Sequence, residues 1–212
     1  AGRGGSGGRG SGGDNSKGIE AWEEKQGDEG TALKNPQGDV SCANTSAYND
    51  AINEAAARYG VSPERIKAII SVESGGKANA QSNDNDGGHS YGLMQLRLET
   101  ARDLDPSATR EKLQDPAYNI RLGTQYYKQL RNEFASGATS EYTGDDLASS
   151  AYNGGKRANK PSVNCASEKK KRWQCEWDNN AHTVPNRGYA VTRAYVPKVN
   201  LVEQKFKSGQ CT

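Results

Sequence analysis

From about Thr45 onward, apolar residues recur at the spacing of helices rather than strands. Thr45 or Ser46 can cap an alanine-rich segment that runs to Tyr59, and Gly60 can end it in the left-handed conformation. Ser62 caps a second helix whose first turn holds Pro63, where the missing amide proton costs nothing. Ile66, Ile69, Ile70 and Glu73 then share one face of it. Asp115 and Pro116 repeat this start signal, and Ile120, Tyr127, Leu130 and Phe134 form the inward stripe of a third long helix. Asp145 or Asp146 opens a fourth, which ends at Tyr152 ahead of Gly154 and Gly155. The last runs from about Asn186 to Lys207 with Tyr195, Val199, Val202 and Phe206 on a face, and Pro197 marks a kink or a restart. Strand signals are sparse and no repeat is visible, so the predicted class is mostly α.

Composition changes this picture mainly at the N-terminus. Eight of the first thirteen residues are glycine, which predicts a flexible linker or tail. Residues 1–40 carry seven acids against five bases and, Trp22 apart, few apolar groups, so the whole stretch is expected to be a Gly-rich, acidic, loosely ordered segment. One domain, residues 41–212, is expected after it. No apolar run exceeds three residues, far short of the roughly 18 a membrane-spanning helix needs. A net charge of +2 argues against a nucleic-acid binder that relies on bulk charge. A monomer is expected.

The four cysteines (Cys42, Cys165, Cys175, Cys211) contain no CxxC pair, and His89 and His182 stand far apart, so neither a zinc site nor any other cofactor is expected. An even, widely spaced set suits two disulfides and an oxidising compartment. Of the three connectivities, Cys165–Cys175 with Cys42–Cys211 is favoured: the first staples a loop, and the second ties the start of the folded region to its end. The polar run SNDNDGGHS (82–90) invites comparison with a calcium loop. With Ser82, Asp84, Asp86 and Gly87 at the first, third, fifth and sixth places of an EF-hand, Leu93 falls at the twelfth, where a bidentate glutamate is required. The frame fails, and metal is expected to be absent.

Glu73 is the candidate for chemistry, because it takes the fourth place of an isoleucine stripe near the end of its helix. Desolvation of a carboxyl disfavours its charged form, which is what a general acid working near neutral pH requires. SVESGG (71–76) around it is followed by YGLMQL (91–96), by SSAYNGG (149–155) and by Tyr195-Val196 in the last helix. In this order the four segments resemble the lysozyme-like superfamily that joins the soluble lytic transglycosylases (SLT domains) to the goose-type lysozymes, over roughly residues 46–207. The resemblance implies a mostly α, lysozyme-like single catalytic domain.

It also implies roles. Glu73 matches the family's catalytic acid, Gln95 and Tyr152-Asn153 match residues that line a glycan cleft, and Tyr195 matches the tyrosine that leans toward the catalytic carboxyl. Ser90 and Tyr91 precede the Gly-Leu-Met-Gln segment as further substrate-binding candidates, Tyr91 as a face on which sugar stacks. The implied activity is cleavage of the β-1,4 bond between N-acetylmuramic acid and N-acetylglucosamine in peptidoglycan, with a 1,6-anhydro product and an extracytoplasmic setting. Two alternatives stay open. The 22-residue interval from Glu73 to Gln95 is that expected of goose-type lysozymes, and Asp86 then falls where those enzymes carry an acidic residue, so an inverting muramidase or chitinase with Asp86 as base is the second reading. Arg97 replaces that family's further acid, and Val191-Thr192 stands where transglycosylases have Glu-Thr. A non-catalytic glycan-binding module is the third.

Residues 156–184 look like an insertion, with seven bases against one acid from Lys156 to Cys175. A stapled basic flap is expected there, meeting anionic stem peptides or wall polymers by charge and gripping sugar through Trp173 and Trp177.

Overall fold

The computed structural model describes residues 41–83, 89–176 and 189–212. The first helix begins two or three residues later than the cap signals at Ser46 and Thr45 predict. Asn44 accepts hydrogen bonds from the Ser46 amide (3.1 Å) and hydroxyl (2.7 Å), and the Tyr48 amide donates to the Thr45 carbonyl. These close a 3-10 turn, Ser46–Tyr48, before α1 (Asn49–Tyr59), so neither Thr45 nor Ser46 caps the α-helix itself. Gly60 ends α1 at φ +64° as expected.

In α2 (Pro63–Ser74) the Ser62 hydroxyl accepts from the Arg65 amide, and Ile66, Ile69, Ile70 and Glu73 are all buried. Each isoleucine contributes about 1.5–3 kcal/mol by leaving water. A region read as polar loop holds instead a small antiparallel sheet of β1 (Gln81–Asn83), β2 (His89–Tyr91) and β3 (Leu96–Arg97), in that order, with Gln81 and Leu96 flanking Tyr91. Strands of two or three residues contain too few alternations for a period of two to register. The short helices α3 (Leu98–Leu104) and α4 (Arg110–Leu113) escaped for the same reason.

Asp115 accepts from the Tyr118 amide (2.8 Å) to start α5 (Pro116–Phe134), whose Ile120, Tyr127 and Leu130 are fully buried while Phe134 is half-buried. Next, α6 (Gly144–Gly154) is opened by Thr143, not by Asp145 or Asp146. The Asp146 side chain returns the bond to the Thr143 amide, a capping box that puts the acid at the third helical position. α7 (Ala190–Lys207) continues through Pro197 and buries Tyr195, Val199, Val202 and Phe206; residues 186–188, where its start was predicted, lie outside the described residues. None of the described helices is long and apolar enough to cross a membrane. Both favoured disulfides, Cys42–Cys211 and Cys165–Cys175, are present.

The main core joins α1, α2, α5, α6 and α7, and a second cluster lies under the sheet around Tyr91, Leu96, Leu113 and Leu122. The main core encloses the guanidinium of Arg65. Arg65 on α2 is 2% exposed, and all five of its N–H groups are used. Nε donates to the Tyr127 hydroxyl on α5 (2.9 Å). One terminal nitrogen serves Asn200 (2.7 Å) and Glu203 (2.8 Å) on α7, and the other serves the Asp145 carbonyl (3.1 Å) and the Ser149 hydroxyl (2.9 Å) on α6. Burial opposes the guanidinium charge, but Tyr127, Glu203 and Asp145 outweigh it and raise the pKa. Arg65→Ala strands these partners and opens a cavity, and should cost about 3–5 kcal/mol in urea unfolding. A loss under about 1 kcal/mol would mean that the arginine does not hold the helices together.

Candidate active site

Glu73 sits one residue from the end of α2. Gly75, at φ +60°, turns the chain off the helix axis while its amide bonds the Ser71 carbonyl, and the carboxyl is left at the rim of the core, 6% exposed. Two phenols face it. Burial first, and then the charge of Glu73, hold the Tyr195 hydroxyl well above its ordinary pKa; Tyr152 is shifted the same way by the same two causes in the same order. Tyr195 also feels Tyr152. A side-chain interaction with Glu73 adds to the shift of the Tyr195 hydroxyl. The Tyr152 hydroxyl donates to the Met94 carbonyl at 2.7 Å, and its ring packs 5.4 Å from that of Tyr126.

That bond brings in the Gly-Leu-Met-Gln turn. Asn119, fully buried on α5, holds the turn by three hydrogen bonds of 2.8 Å: it accepts from the Met94 amide and donates to the carbonyls of Tyr91 and Leu113. Gln95 then stands at φ +51°, a left-handed conformation that costs a non-glycine residue about 1–3 kcal/mol. Its side-chain nitrogen, Nε2, stabilises that geometry by donating to the Ala80 (3.0 Å) and Gly92 (2.8 Å) carbonyls. The Gln95 side-chain oxygen, Oε1, is buried and accepts no hydrogen bond from the described residues. Asn153 follows Tyr152 on α6 and its side-chain oxygen accepts from Thr192 on α7 at 2.8 Å.

The structure thus groups Glu73, Tyr152 and Tyr195, with Gln95 and Asn153 attached through Met94, Tyr152 and Thr192. Ser90 is half-buried in β2, opposite Ser82 and Arg97. Tyr91 departs from expectation: it is 2% exposed, its ring belongs to the second core cluster, and Arg110 lies over it at 5.9 Å, so it offers no open face to a sugar. Trp173 departs likewise. It is 8% exposed, packed with Ala158, Tyr189 and Val196 and edge-on to Tyr142, so the indole anchors its segment instead of gripping ligand. Asp86 and Trp177 lie outside the described residues. No group of three or more His, Cys, Asp or Glu suited to a metal occurs among the described residues.

Sequence reasoning missed Arg65, Asn119 and Gly123, and took Thr192 only as a departure from the transglycosylase pattern; all four position the site without lining it. A Cβ on Gly123 would sit 2.5 Å from the Met94 sulfur, so the turn seats on α5 only where the side chain is absent. Asn119 and Gly123, four apart on one face of α5, were the available signal: a polar and an empty position inside an apolar stripe.

Comparison with known proteins identifies the family of the chain. The model of the transglycosylase SLT domain family matches residues 50–174, and the chain belongs to that family. Its fold is the mostly α, lysozyme-like one. Similar relatives are the endo-type membrane-bound lytic murein transglycosylases A of Salmonella paratyphi B, Salmonella enteritidis and Salmonella typhimurium. Each is 40% identical over 86 residues, a match covering 37% of this chain and 40% of the relative. The chain therefore spans well under half the length of the curated relatives it matches.

Gly92 tests how tightly the turn is seated. At φ +79°, a Cβ there would run into the Leu113 carbonyl and the Asn119 amide, whereas Gly155, at φ +77°, has nothing near. Gly155→Ala should cost about 1–2 kcal/mol for its backbone alone, and Gly92→Ala at least about 2 kcal/mol more in denaturant unfolding. Equal costs would show that Asn119 does not clamp the turn.

Proposed function

We propose that this chain is a peptidoglycan lytic transglycosylase that cleaves the β-1,4 bond between N-acetylmuramic acid and N-acetylglucosamine, with Glu73 as both acid and base. The observation that carries the reading is the buried Glu73 carboxyl beside the Tyr152 and Tyr195 phenols, at the junction with the Gly-Leu-Met-Gln turn. Membership of the transglycosylase SLT domain family supports it, as do the printed names of the relatives. The two disulfides fit an extracytoplasmic setting, where peptidoglycan is found.

Buried among apolar and phenolic groups, a carboxyl favours its neutral form and can act as an acid near neutrality. Glu73 donates its proton to the glycosidic oxygen as the bond from that oxygen to the anomeric carbon breaks. The positive charge that develops on that carbon is met by the substrate's own N-acetyl oxygen, so no second carboxylate is required. Glu73, now ionised, accepts the proton of the sugar's 6-hydroxyl. That oxygen bonds to the anomeric carbon, releases the N-acetyl group and closes the 1,6-anhydro ring, and Glu73 returns to its starting state.

The phenols of Tyr152 and Tyr195 stay protonated in this scheme, since burial and Glu73 both oppose their ionisation. A protonated phenol can donate toward the Glu73 carboxylate in the second half-reaction. In this reading Gln95 shapes the turn that borders the sugar, its side-chain nitrogen bonded to the Ala80 and Gly92 carbonyls and its buried side-chain oxygen accepting no hydrogen bond from the described residues. With its oxygen held by Thr192, the Asn153 amide keeps its NH2 group for the sugar.

Glu73→Gln keeps the size and hydrogen-bonding capacity of the side chain but neither donates nor accepts the required proton. It should retain binding to insoluble peptidoglycan and lose turnover by about 10²–10⁴. Asp86→Asn should leave the rate within a factor of about two of wild type. Full activity in the glutamine variant would remove Glu73 from the mechanism. A collapse in the asparagine variant would favour an inverting hydrolase.

A further inference from the structure

Resting on that reading, we infer that the disulfide-stapled basic segment after Asn153 is a docking surface for the acidic stem peptides carried by the glycan in the cleft. Between Lys156 and Cys175 the chain has seven bases and one acid, Glu168. Burial of Trp173 fixes how these charges are presented. The segment is bound to the body of the domain on two sides. Asn159 accepts from Ser150 (2.7 Å) and donates to the Leu147 carbonyl (2.8 Å), both on α6, while Arg193 on α7 donates to the carbonyls of Trp173 (3.1 Å) and Cys175 (3.4 Å).

Within it, two runs of chain pair. The Arg172 amide donates to the Lys160 carbonyl and the Ser162 amide to the Lys170 carbonyl, both at 2.9 Å, around the bridge between Pro161 and Lys171. The Cys165–Cys175 disulfide closes the far end. The bases are therefore displayed on a braced support instead of a loose loop. Two are neutralised locally, Lys156 by Glu133 and Lys170 by Glu168, each at 2.6 Å. Arg157, Lys160 and Lys169 are exposed and make no ion pair among the described residues.

Position decides the occupant. Lys156 and Arg157 follow Asn153 by three and four residues across the turn at Gly155. On α7, Thr192 holds Asn153 and its neighbour Arg193 holds the basic segment. The basic segment thus leaves α6 at the end that carries Asn153, is bound back along α6 at Leu147 and Ser150, and is held at the start of α7 by Arg193. In this inference a glycan strand lying against Asn153 meets Arg157 first, its peptides extend along the braced segment toward Lys160 and Lys169, and the free carboxylates of those peptides are the anions tethered there at high local concentration. The surface adds preference for peptide-bearing glycan without entering the chemistry.

The test uses a triple variant, Arg157→Gln, Lys160→Gln and Lys169→Gln, on two substrates: intact peptidoglycan and the same glycan stripped of its peptides by an amidase. On intact peptidoglycan at low salt, kcat/KM should fall about tenfold, and the gap should close as salt is raised. On stripped glycan the variant should match wild type, which also shows that it is folded. Equal loss on both substrates, or no loss on either, overturns the inference. Sedimentation binding of Glu73→Gln protein, with and without the triple change, gives a second readout independent of turnover. If wild type releases no product at all, the proposed reaction fails while binding still decides this question. Retention by a glycerol-phosphate polymer without preference for peptide-bearing glycan would show that the occupant named here is wrong.

Discussion

The guanidinium of Arg65 decides where the helix carrying the proposed acid can sit. It lies in a core from which water is excluded, and a buried charge is tolerable there only if each donor finds an acceptor. Its partners come from α5, α6 and α7, so α2 has one rotation and one depth at which all five N–H groups are satisfied. The partners are braced in turn: the Tyr127 hydroxyl donates to the Asp145 carboxylate at 2.8 Å, and Asn200 donates to Asp146 at 2.7 Å. Two turns further along α2, that fixed rotation delivers Glu73 to Tyr152 on α6 and Tyr195 on α7. Hydrophobic burial supplies most of the driving force for the packing. The arginine supplies the register.

A second constraint acts in the Gly-Leu-Met-Gln segment. The Gly-Leu-Met-Gln turn needs a left-handed backbone at Gly92 and at Gln95, and only the first is cheap. Asn119 and the doubly bonded Gln95 amide hold the costly conformation in place. The same turn supplies the carbonyl that fixes the Tyr152 hydroxyl. The phenol beside Glu73 and the glutamine whose side-chain oxygen accepts nothing from the described residues are thus set by a single piece of backbone.

Long, capped, strongly periodic elements were legible in the sequence. Ser62-Pro63 and Asp115-Pro116 gave correct helix starts, and the stripe of Ile66, Ile69, Ile70 and Glu73 is buried as a unit. The disulfide pairing also agreed with the favoured choice. What was not legible depends on partners distant in sequence. Tyr91 and Trp173 read as sugar platforms because an aromatic in a polar segment has no visible partner; in the fold, Leu113 and Leu122 surround one, and Ala158 and Val196 the other. Thr143 was passed over as a cap because the acids after it looked sufficient, although the box needs both Thr143 and Asp146. Arg65 was invisible as a hub because its acceptors lie between 62 and 138 residues away.

The central claim is that one carboxyl performs both proton transfers and that the sugar's own hydroxyl, not water, closes the reaction. Mass spectrometry of the fragments released from purified peptidoglycan reads this directly. The account predicts fragments lighter by one water than their hydrolytic counterparts, ending in 1,6-anhydro-N-acetylmuramic acid. Fragments with free reducing ends would contradict it, because they require an activated water and a second base that Glu73 alone does not provide.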